Sequence, residues 1–406
     1  MRVLHLADLH LGRDLGGISR RAEQEALVLE LARAARDEAA DLAVVAGDVF
    51  DSSNPPAWAE DAFYALVDLL AEGGRRAVLV LAGNHDNAVR LAAAEPLARR
   101  LGIVLCGSKD DVPAPFEGAG KVRIEPLGPG ACVVTSADGM RSMGVGALPF
   151  ASEVSLVKRT GAQPTEADDR DAYGRALAQL FAERAALLPA DRPKLLAGHL
   201  WVSGGEPSSS ERVYRVGSLS DLPAAWLPEA DYVALGHLHR PQQVGPRPVV
   251  YAGSPLAYSL SEAGQLKRAV LVELQPGRPA ALRDLPLASG RPLEKWTARS
   301  MAELRERARL AGPRPIVALT LDLDHPPTRA ELDELHDLGP AFLSVDLKGA
   351  PEAGGVLPDA ELPELPDDAL AQAFLDAAFD GAAPAELVKD LVDLLLPERD
   401  DAREVA

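Results

Sequence analysis

Val44-Val45-Ala46-Gly47-Asp48 is the stretch that decides how this 406-residue chain folds. Three apolar residues, a glycine and a carboxylate, in that order, read as a buried strand that stops abruptly. Glycine lets the backbone turn sharply and lets a neighbouring strand come close. The next side chain then lands at the carboxyl edge of the sheet, where open α/β folds place their sites. The pattern recurs in Val80-Leu81-Ala82-Gly83-Asn84, Leu195-Leu196-Ala197-Gly198-His199 and Val233-Ala234-Leu235-Gly236-His237. The first strand ends similarly, in Leu6-Ala7-Asp8-Leu9-His10, with alanine in place of glycine. Five strand ends thus bring Asp8, His10, Asp48, Asn84, His199, His237 and His239 to one rim. A sixth run, 249–253, delivers Ser254 and is not counted among the metal donors.

Working outward, strand-like runs at 2–7, 42–46 and 77–82 alternate with helical stretches at 19–40, from the Pro55-Pro56 pair onward, and at 87–101. Proline suits a first helical turn, where its missing N–H has no partner to lose. Strands separated by single helices imply βαβ units with both sheet faces covered. Further strand-like runs lie at 122–125, 132–135, 194–197 and 232–235, with a helix at 170–188. The Ser- and Gly-rich stretch 201–219 is long and polar for a connection and reads as a substrate-facing loop. The texture changes after about Pro276, which sets a first domain at 1–275 and a small α+β unit at 276–349. A Pro-, Gly- and acid-rich linker at 350–366 follows, then two amphipathic helices within 367–406.

The donor set defines the chemistry. Imidazole, carboxylate and amide oxygen together suit manganese, iron or zinc, and the lack of thiolate argues against a structural zinc knot. Seven donors are too many for one catalytic ion that keeps open positions, whereas two ions sharing one carboxylate fit. Such pairs, about 3.5–4 Å apart, clamp the attacking and leaving oxygens of a phosphoester displacement and activate water at neutral pH. Singly the motifs are weak: Asp8-x-His10 also suits a polar pair at a strand end, and Gly47-Asp48 and Gly83-Asn84 also suit turns. His237-x-His239 is stronger, because alternate residues of an extended segment face one side. The set as a whole carries the argument, since six of the eight histidines lie in or beside these strand ends. His5, inside the first strand, reads as a core residue, and His325 and His336 as surface residues.

Composition limits the alternatives. With 47% hydrophobic and 25% charged residues the chain has ample core material, which excludes disorder as its main state. No apolar run approaches the roughly 18 residues of a membrane helix, and the N-terminus does not read as a signal peptide. Cys106 and Cys132 lack metal-binding spacing and cannot make a disulfide framework, so the expected compartment is the cytoplasm. The net charge of −19 argues naively against nucleic acid, but residues 351–406 hold 15 acidic and 3 basic side chains and account for most of it.

Asp8-Leu9-His10, Gly47-Asp48-Val49-Phe50-Asp51, Gly83-Asn84-His85-Asp86, Gly198-His199 and Gly236-His237-Leu238-His239 together resemble the calcineurin-like metallophosphoesterase signature. All five motifs stand in the family's order over residues 1 to about 240. Within that superfamily the chain resembles the bacterial SbcD nuclease family of double-strand-break repair. Leu11-Gly12-Arg13, Ser210-Glu211-Arg212 and Tyr251-Ala252-Gly253-Ser254-Pro255 add to the likeness. The resemblance implies an α/β fold: a metallophosphoesterase β-sandwich flanked by helices, with a small α+β capping domain and a C-terminal helical segment. It implies one divalent metal on Asp8, His10, Asp48 and His239, and a second on Asp48, Asn84, His199 and His237. Both would be manganese, bridged by Asp48. His85 would be the catalytic residue beside the scissile phosphate. Asp86 would orient that imidazole or serve as a helix cap, and Asp51 would support the metal site or close a loop.

The implied function is a manganese-dependent DNA nuclease, exonucleolytic on duplex ends and endonucleolytic on single-stranded or hairpin DNA, in DNA repair, recombination and replication. Implied partners are DNA, an SbcC-type coiled-coil ATPase, and a second copy in a homodimer, giving a heterotetramer with the ATPase; no membrane is involved. Phe63, Leu66 and Leu70 form a stripe that suits a dimer seam or burial against the chain's own sheet. Leu370, Phe374 and Ala378, with Leu387, Leu391 and Leu395, suit docking on the ATPase or back onto the small unit. Protein Ser/Thr phosphatases of the superfamily carry Arg-Gly after the second motif where this chain has Asp51-Ser52-Ser53, which counts against that activity. A small-molecule phosphodiesterase or phosphatase and a non-catalytic DNA-end-binding scaffold stand as the alternatives. Arg13, Arg90, Arg159, Arg212, Arg215 and Arg240 lie near the motifs, and none is assigned to the site.

Overall fold

The computed structural model describes residues 1–152, 156, 169–211, 222–311, 315–325, 327–335 and 337–348. The linker 350–366, the segment 367–406, Arg159, Arg212, Arg215, His336 and the loop beyond Glu211 as far as 219 lie outside them.

Four parallel strands, β1 (Arg2–Leu6), β2 (Leu42–Ala46), β3 (Ala77–Leu81) and β4 (Ile103–Cys106), form the centre of the first sheet. Leu6 stands opposite Val45, Val45 opposite Val80, and Leu81 opposite Cys106, so their carboxyl ends are level. Helices α1 (Arg21–Asp37) and α2 (Ala57–Ala71) make the crossovers, and α3 (Ala88–Ala92) and α4 (Glu95–Ala98) the last one. The second sheet holds β5 (Arg123–Gly128), β6 (Ala131–Thr135), β7 (Ser142–Leu148), β8 (Lys194–His199), β9 (Tyr232–Gly236), β10 (Gln242–Gln243) and β11 (Val249–Tyr251). Its order is β10-β11-β9-β8-β7-β6-β5, and β7, β8, β9 and β11 run parallel. Helix α5 (Asp169–Leu187) covers its outer face through Leu177, Leu180 and Phe181.

The two sheets pack face to face. Successive strand residues point to opposite faces, so Val3, Val44 and Leu79 enter the layer shared with Val145, Leu195 and Ala234 of the second sheet. Their neighbours Leu4, Val45 and Val80 pack under α1 and α2. Each such side chain, fully buried, contributes about 1.5–3 kcal/mol. Phe63, Leu66 and Leu70 lie in this helix-to-sheet layer, so the stripe is buried against the chain's own sheet.

The first sheet continues with β12 (Arg268–Glu273), antiparallel to β1, and β13 (Ala281–Pro286), antiparallel to β12. The texture change at Pro276 therefore falls between two paired strands. A third, parallel sheet joins β14 (Leu293–Ala298), β15 (Ile316–Leu321) and β16 (Ala341–Leu347) with α6 (Met301–Leu310) and α7 (Arg329–Leu335). It has its own cluster around Trp296, Leu304, Val317 and Leu319 and meets the first sheet's loops where Leu15 packs on Leu293 and Ile316.

One difference from the sequence reading concerns 87–101, expected as one helix. It is α3, then α4, then a 3-10 turn at Arg99–Leu101. Pro96 sits in the first turn of α4, where proline starts a helix and cannot continue one. No helix among the described residues is long and apolar enough to cross a membrane. Cys106 and Cys132 are buried and free, and burial pushes the Cys132 thiol up to about 12, so neither presents a thiolate at neutral pH. His5 is buried with its Nδ1 2.8 Å from the Tyr232 hydroxyl, a core role, and His325 is exposed.

Candidate metal centre

All seven expected donors come together at one edge of the sandwich, where the carboxyl ends of β1, β2, β3, β8 and β9 meet. Asp8, His10, Asp48, His199 and His239 are at most 2% exposed. Donor atoms of Asp8, His10 and His239 lie within 4.8 Å of one another, and so do those of Asp8, Asp48 and His199. Asp48 Oδ2 stands between two imidazoles, 3.4 Å from His199 Nε2 and 3.7 Å from His10 Nε2. Asn84 Oδ1 is 2.9 Å from both His199 Nε2 and His237 Nδ1.

The local backbone explains the convergence. Gly47 has φ of +90°, and a Cβ there would collide with the His199 ring. A Cβ on Gly83 would collide with the Asp48 carboxylate. Among the described residues six that are not glycine have positive φ, and four of them are donors: Asp8 (53°), His10 (45°), Asp48 (47°) and His237 (103°). Such backbone is uncommon outside glycine and costs of the order of 1–2 kcal/mol per residue. Tertiary contacts hold it here: Asp8 and His10 donate their amides to the Gly47 and Asp48 carbonyls at 3.0 Å, and the His237 amide donates to Asp8 Oδ1 at 2.8 Å.

Hydrogen-bond chemistry fixes which ring nitrogen of His199 and of His239 carries its proton. The Ala46 carbonyl can only accept, so His199 donates from Nδ1 at 2.9 Å and turns the lone pair of Nε2 toward Asn84 Oδ1 and Asp48 Oδ2. On the other side, the Ser210 hydroxyl donates to Glu262 Oε1 at 2.5 Å and accepts from His239 Nδ1 at 2.6 Å. The His239 Nε2 lone pair then faces His10 Nε2 at 2.9 Å. His10 Nδ1 lies 3.6 Å from Asp51 Oδ1, a charge that favours a proton on that nitrogen. Two groups of acceptors therefore confront one another across Asp48. Asp8 Oδ2 is also buried without a hydrogen-bond partner among the described residues. Facing lone pairs in a buried site are repulsive unless a proton or a cation lies between them. The donor set therefore fits a pair of divalent cations.

The electrostatics agree. Burial holds His10 and His237 down to about 3, as neutral donors. Burial also opposes charge on His199, but Asp48 and Asp8 outweigh it and hold the ring up to about 9. Burial pushes Asp8 up to about 7, whereas at Asp48 the neighbouring histidines overcome burial and keep the carboxylate ionised. Without a metal, protons collect where a metal would screen the charges.

His85 lies beside this cluster with its ring centre 4.8 Å from that of His10. Its amide donates to Asp48 Oδ1 at 2.9 Å, and its Nδ1 donates to the Asp51 carbonyl at 2.7 Å. That carbonyl orients the imidazole and makes Nε2 the position where a proton is gained or given up. Asp86 does something else. Its carboxylate accepts from the amides of Val49, Phe50 and Gly83 at 3.1, 2.9 and 2.8 Å, tying the second motif to the third. Of the arginines near the motifs, Arg90 pairs with Glu60 and Arg240 with Glu206 on the surface. Arg13 stays at the rim, 3.5 Å from Asp51 Oδ1 and over the Tyr258 ring.

The motifs missed a set of supporting residues. Gln24 accepts from the Gly12 amide and donates to the His10 and Arg13 carbonyls, and the Tyr258 hydroxyl donates to Leu9 O at 2.7 Å. Glu211 accepts from the His239 amide at 2.8 Å, and Lys267 pairs with Glu262. Ser254, left out of the donors, belongs to this group: it accepts from Lys267 at 3.0 Å. Ser254 ends an apolar run and glycine, and Glu211 stands in the Ser210-Glu211-Arg212 motif, but Gln24, Tyr258, Glu262 and Lys267 belong to no motif, so only their nearness in the fold reveals them.

The model of the calcineurin-like phosphoesterase family matches residues 1–241. The chain is 41% identical over 301 residues to the SbcD component of nuclease SbcCD from Bacillus subtilis, covering 73% of this chain and 72% of that protein. The chain belongs to the calcineurin-like phosphoesterase family, in its SbcD branch. The SbcD component from Rhodobacter capsulatus is 33% identical, covering 80% of this chain and 84% of that protein. The one from Escherichia coli K12 is 29% identical, covering 80% and 78%. As a calcineurin-like phosphoesterase the chain is a metal-dependent hydrolase, and its His and Asp clusters suit a binuclear divalent centre.

Proposed function

We propose that this chain is the nuclease component of an SbcCD-type complex and hydrolyses DNA phosphodiesters with two manganese ions. It acts exonucleolytically on duplex ends and endonucleolytically on single-stranded or hairpin DNA, in repair, recombination and replication. The observation that supports this most is the pair of facing acceptor groups across Asp48, in a chain that matches SbcD relatives over most of its length. Asp8, His10, Asp48 and His239 hold one ion, and Asp48, Asn84, His199 and His237 the other. The bound ions supply activation of water and neutralisation of charge on the phosphoryl oxygens. The chain's own contribution is orientation and proton transfer. The Asp51 carbonyl fixes His85 by its Nδ1, so Nε2 serves the leaving 3′ oxygen.

The proposed assembly is a homodimer that binds two copies of an SbcC-type ATPase in the cytoplasm, with the small α+β unit of β14, β15 and β16 capping the phosphoesterase domain and 367–406 engaging the ATPase. Nucleotide release from linear duplex DNA in manganese tests the central reading, with chelator and Asp48→Ala as controls. Release that needs both the metal and Asp48 is expected. Cleavage of a simple aryl phosphodiester without any release from DNA would transfer the centre to small diesters. Loss of both activities in a folded, metal-loaded chain would leave a scaffold.

A further inference from the structure

Behind His239 lies a buried chain of polar groups that nothing in the metal-donor motif requires. Ser210 is 6% exposed, Glu262 1% and Lys267 9%. Lys267 is salt-bridged to Glu262 and donates to Ser254 Oγ at 3.0 Å and to the His239 carbonyl at 3.2 Å. With its ammonium partner in place, Glu262 is a carboxylate and can only accept. The Ser210 hydroxyl must therefore give its one proton to Glu262 and take the one on His239 Nδ1. The direction of every hydrogen bond in the chain is set by the lysine at its far end.

The consequence falls on one donor atom. A proton on Nδ1 leaves the Nε2 lone pair directed at His10 and the Asp8 side of the centre, and the opposite tautomer would place a hydrogen there instead. Ser210 comes from the loop after β8, and its neighbour Glu211 accepts from the His239 amide. The loop thus grips both the backbone and the ring of one donor, while across Asp48 it reaches the donors only by ring contact, Trp201 beside His237 with centres 6.1 Å apart, among the described contacts.

We infer that Ser210, aligned by Glu262 and Lys267, is a positioning residue that fixes the His239 tautomer and thereby sets the affinity of one of the two metal ions. The inference rests on the binuclear reading above and adds to it that the two ions depend on different parts of the chain. Supporting partners of metal-bound imidazoles are worth about 10–100-fold in metal affinity.

Titration of the chelator-stripped chain with manganese, followed by the spin resonance of free ion, tests this. The wild type should bind two ions. Ser210→Ala should bind one as the wild type does and the other about 10–100-fold more weakly, and Ser210→Thr, which keeps the hydroxyl, should recover both. Nitrogen-15 spectra of the stripped chain should show His239 protonated at Nδ1 in the wild type and as a mixture of tautomers in Ser210→Ala. Equal weakening of both ions would mean general loosening and overturn the inference, as would two wild-type affinities in Ser210→Ala. A wild-type chain that binds fewer than two ions would overturn the binuclear reading itself, and the inference with it.

Discussion

The two halves of the donor cluster are held in different ways. His199 and Asn84 are set by strand ends: a carbonyl from the neighbouring β2, and glycines whose missing Cβ makes the space. His10 and His239 are set by side chains from remote segments, Gln24 and Tyr258 for one and Ser210 with Glu262 for the other. The first half is built by sheet register and is rigid once the sheets pack. The second depends on loops, so its geometry can be altered without touching the sandwich. A binuclear centre can therefore carry one ion that belongs to the scaffold and one that answers to the loops.

Asp48 is common to both halves and gives the largest expected effect. Asp48→Ala should abolish binding of both ions and lower cleavage by about 10⁴-fold or more; retention of one ion at wild-type affinity would show that the halves do not share it. His85 belongs to neither half. His85→Ala should keep both ions and lower the rate of cleavage about 10²–10⁴-fold, and full cleavage by that variant would remove the imidazole from the reaction.

The next effect is one of pH. Asp8, pushed up to about 7, and His199, held up to about 9, both take more protons in the folded chain than in the unfolded one. Their stabilisation is lost as pH rises, from 3.8 to about 7 for Asp8 and from 6.5 to about 9 for His199. His10 and His237, held down to about 3, instead gain stability between about 3 and 6.5. The chelator-treated chain should therefore lose stability above about pH 6.5. Asp48 works in the opposite sense, and its contribution is lost only on acidification below the usual carboxylate range. Thermal melts should drop by several degrees from pH 6.5 to 9, and manganese should flatten the slope because its binding displaces those protons. A flat profile in chelator would mean that no proton sits between His199 and Asp48. Smallest of all, Tyr258→Phe removes only the hydroxyl that donates to Leu9 O and accepts from Gln24. It should cost about 1 kcal/mol in urea unfolding and weaken only the ion on the His10 side.

The same division explains what could be read from the sequence. The strand-built half is written locally, because apolar run, glycine and donor occupy five consecutive residues. Asp48, Asn84, His199 and His237 and the strands β2, β3, β8 and β9 were legible on that basis, while Asp8 follows an alanine and His10 and His239 stand two residues beyond Asp8 and His237. The loop-built half is written at long range: Gln24 acts on His10 from 14 residues away, and Tyr258 on Leu9 from 249. No periodicity connects such positions. Strand β13 escaped for a related reason, since it is exposed along most of its length and lacks an apolar face to announce it. Asp86, expected either to orient His85 or to cap, proved to be a tie between two loops, a role that becomes visible only when Val49 and Gly83 are neighbours in space.

The positive φ angles at Asp8, His10, Asp48 and His237 carry a consequence for how this centre can change over time. Aspartate and histidine are among the few residues other than glycine that enter that region of backbone readily. Glutamate and cysteine would offer serviceable donor atoms but enter it less readily. At these four positions the torsion angle and the metal choose from the same short alphabet. Variation that retunes the chemistry is therefore directed away from the donors themselves, into the residues that stand behind them.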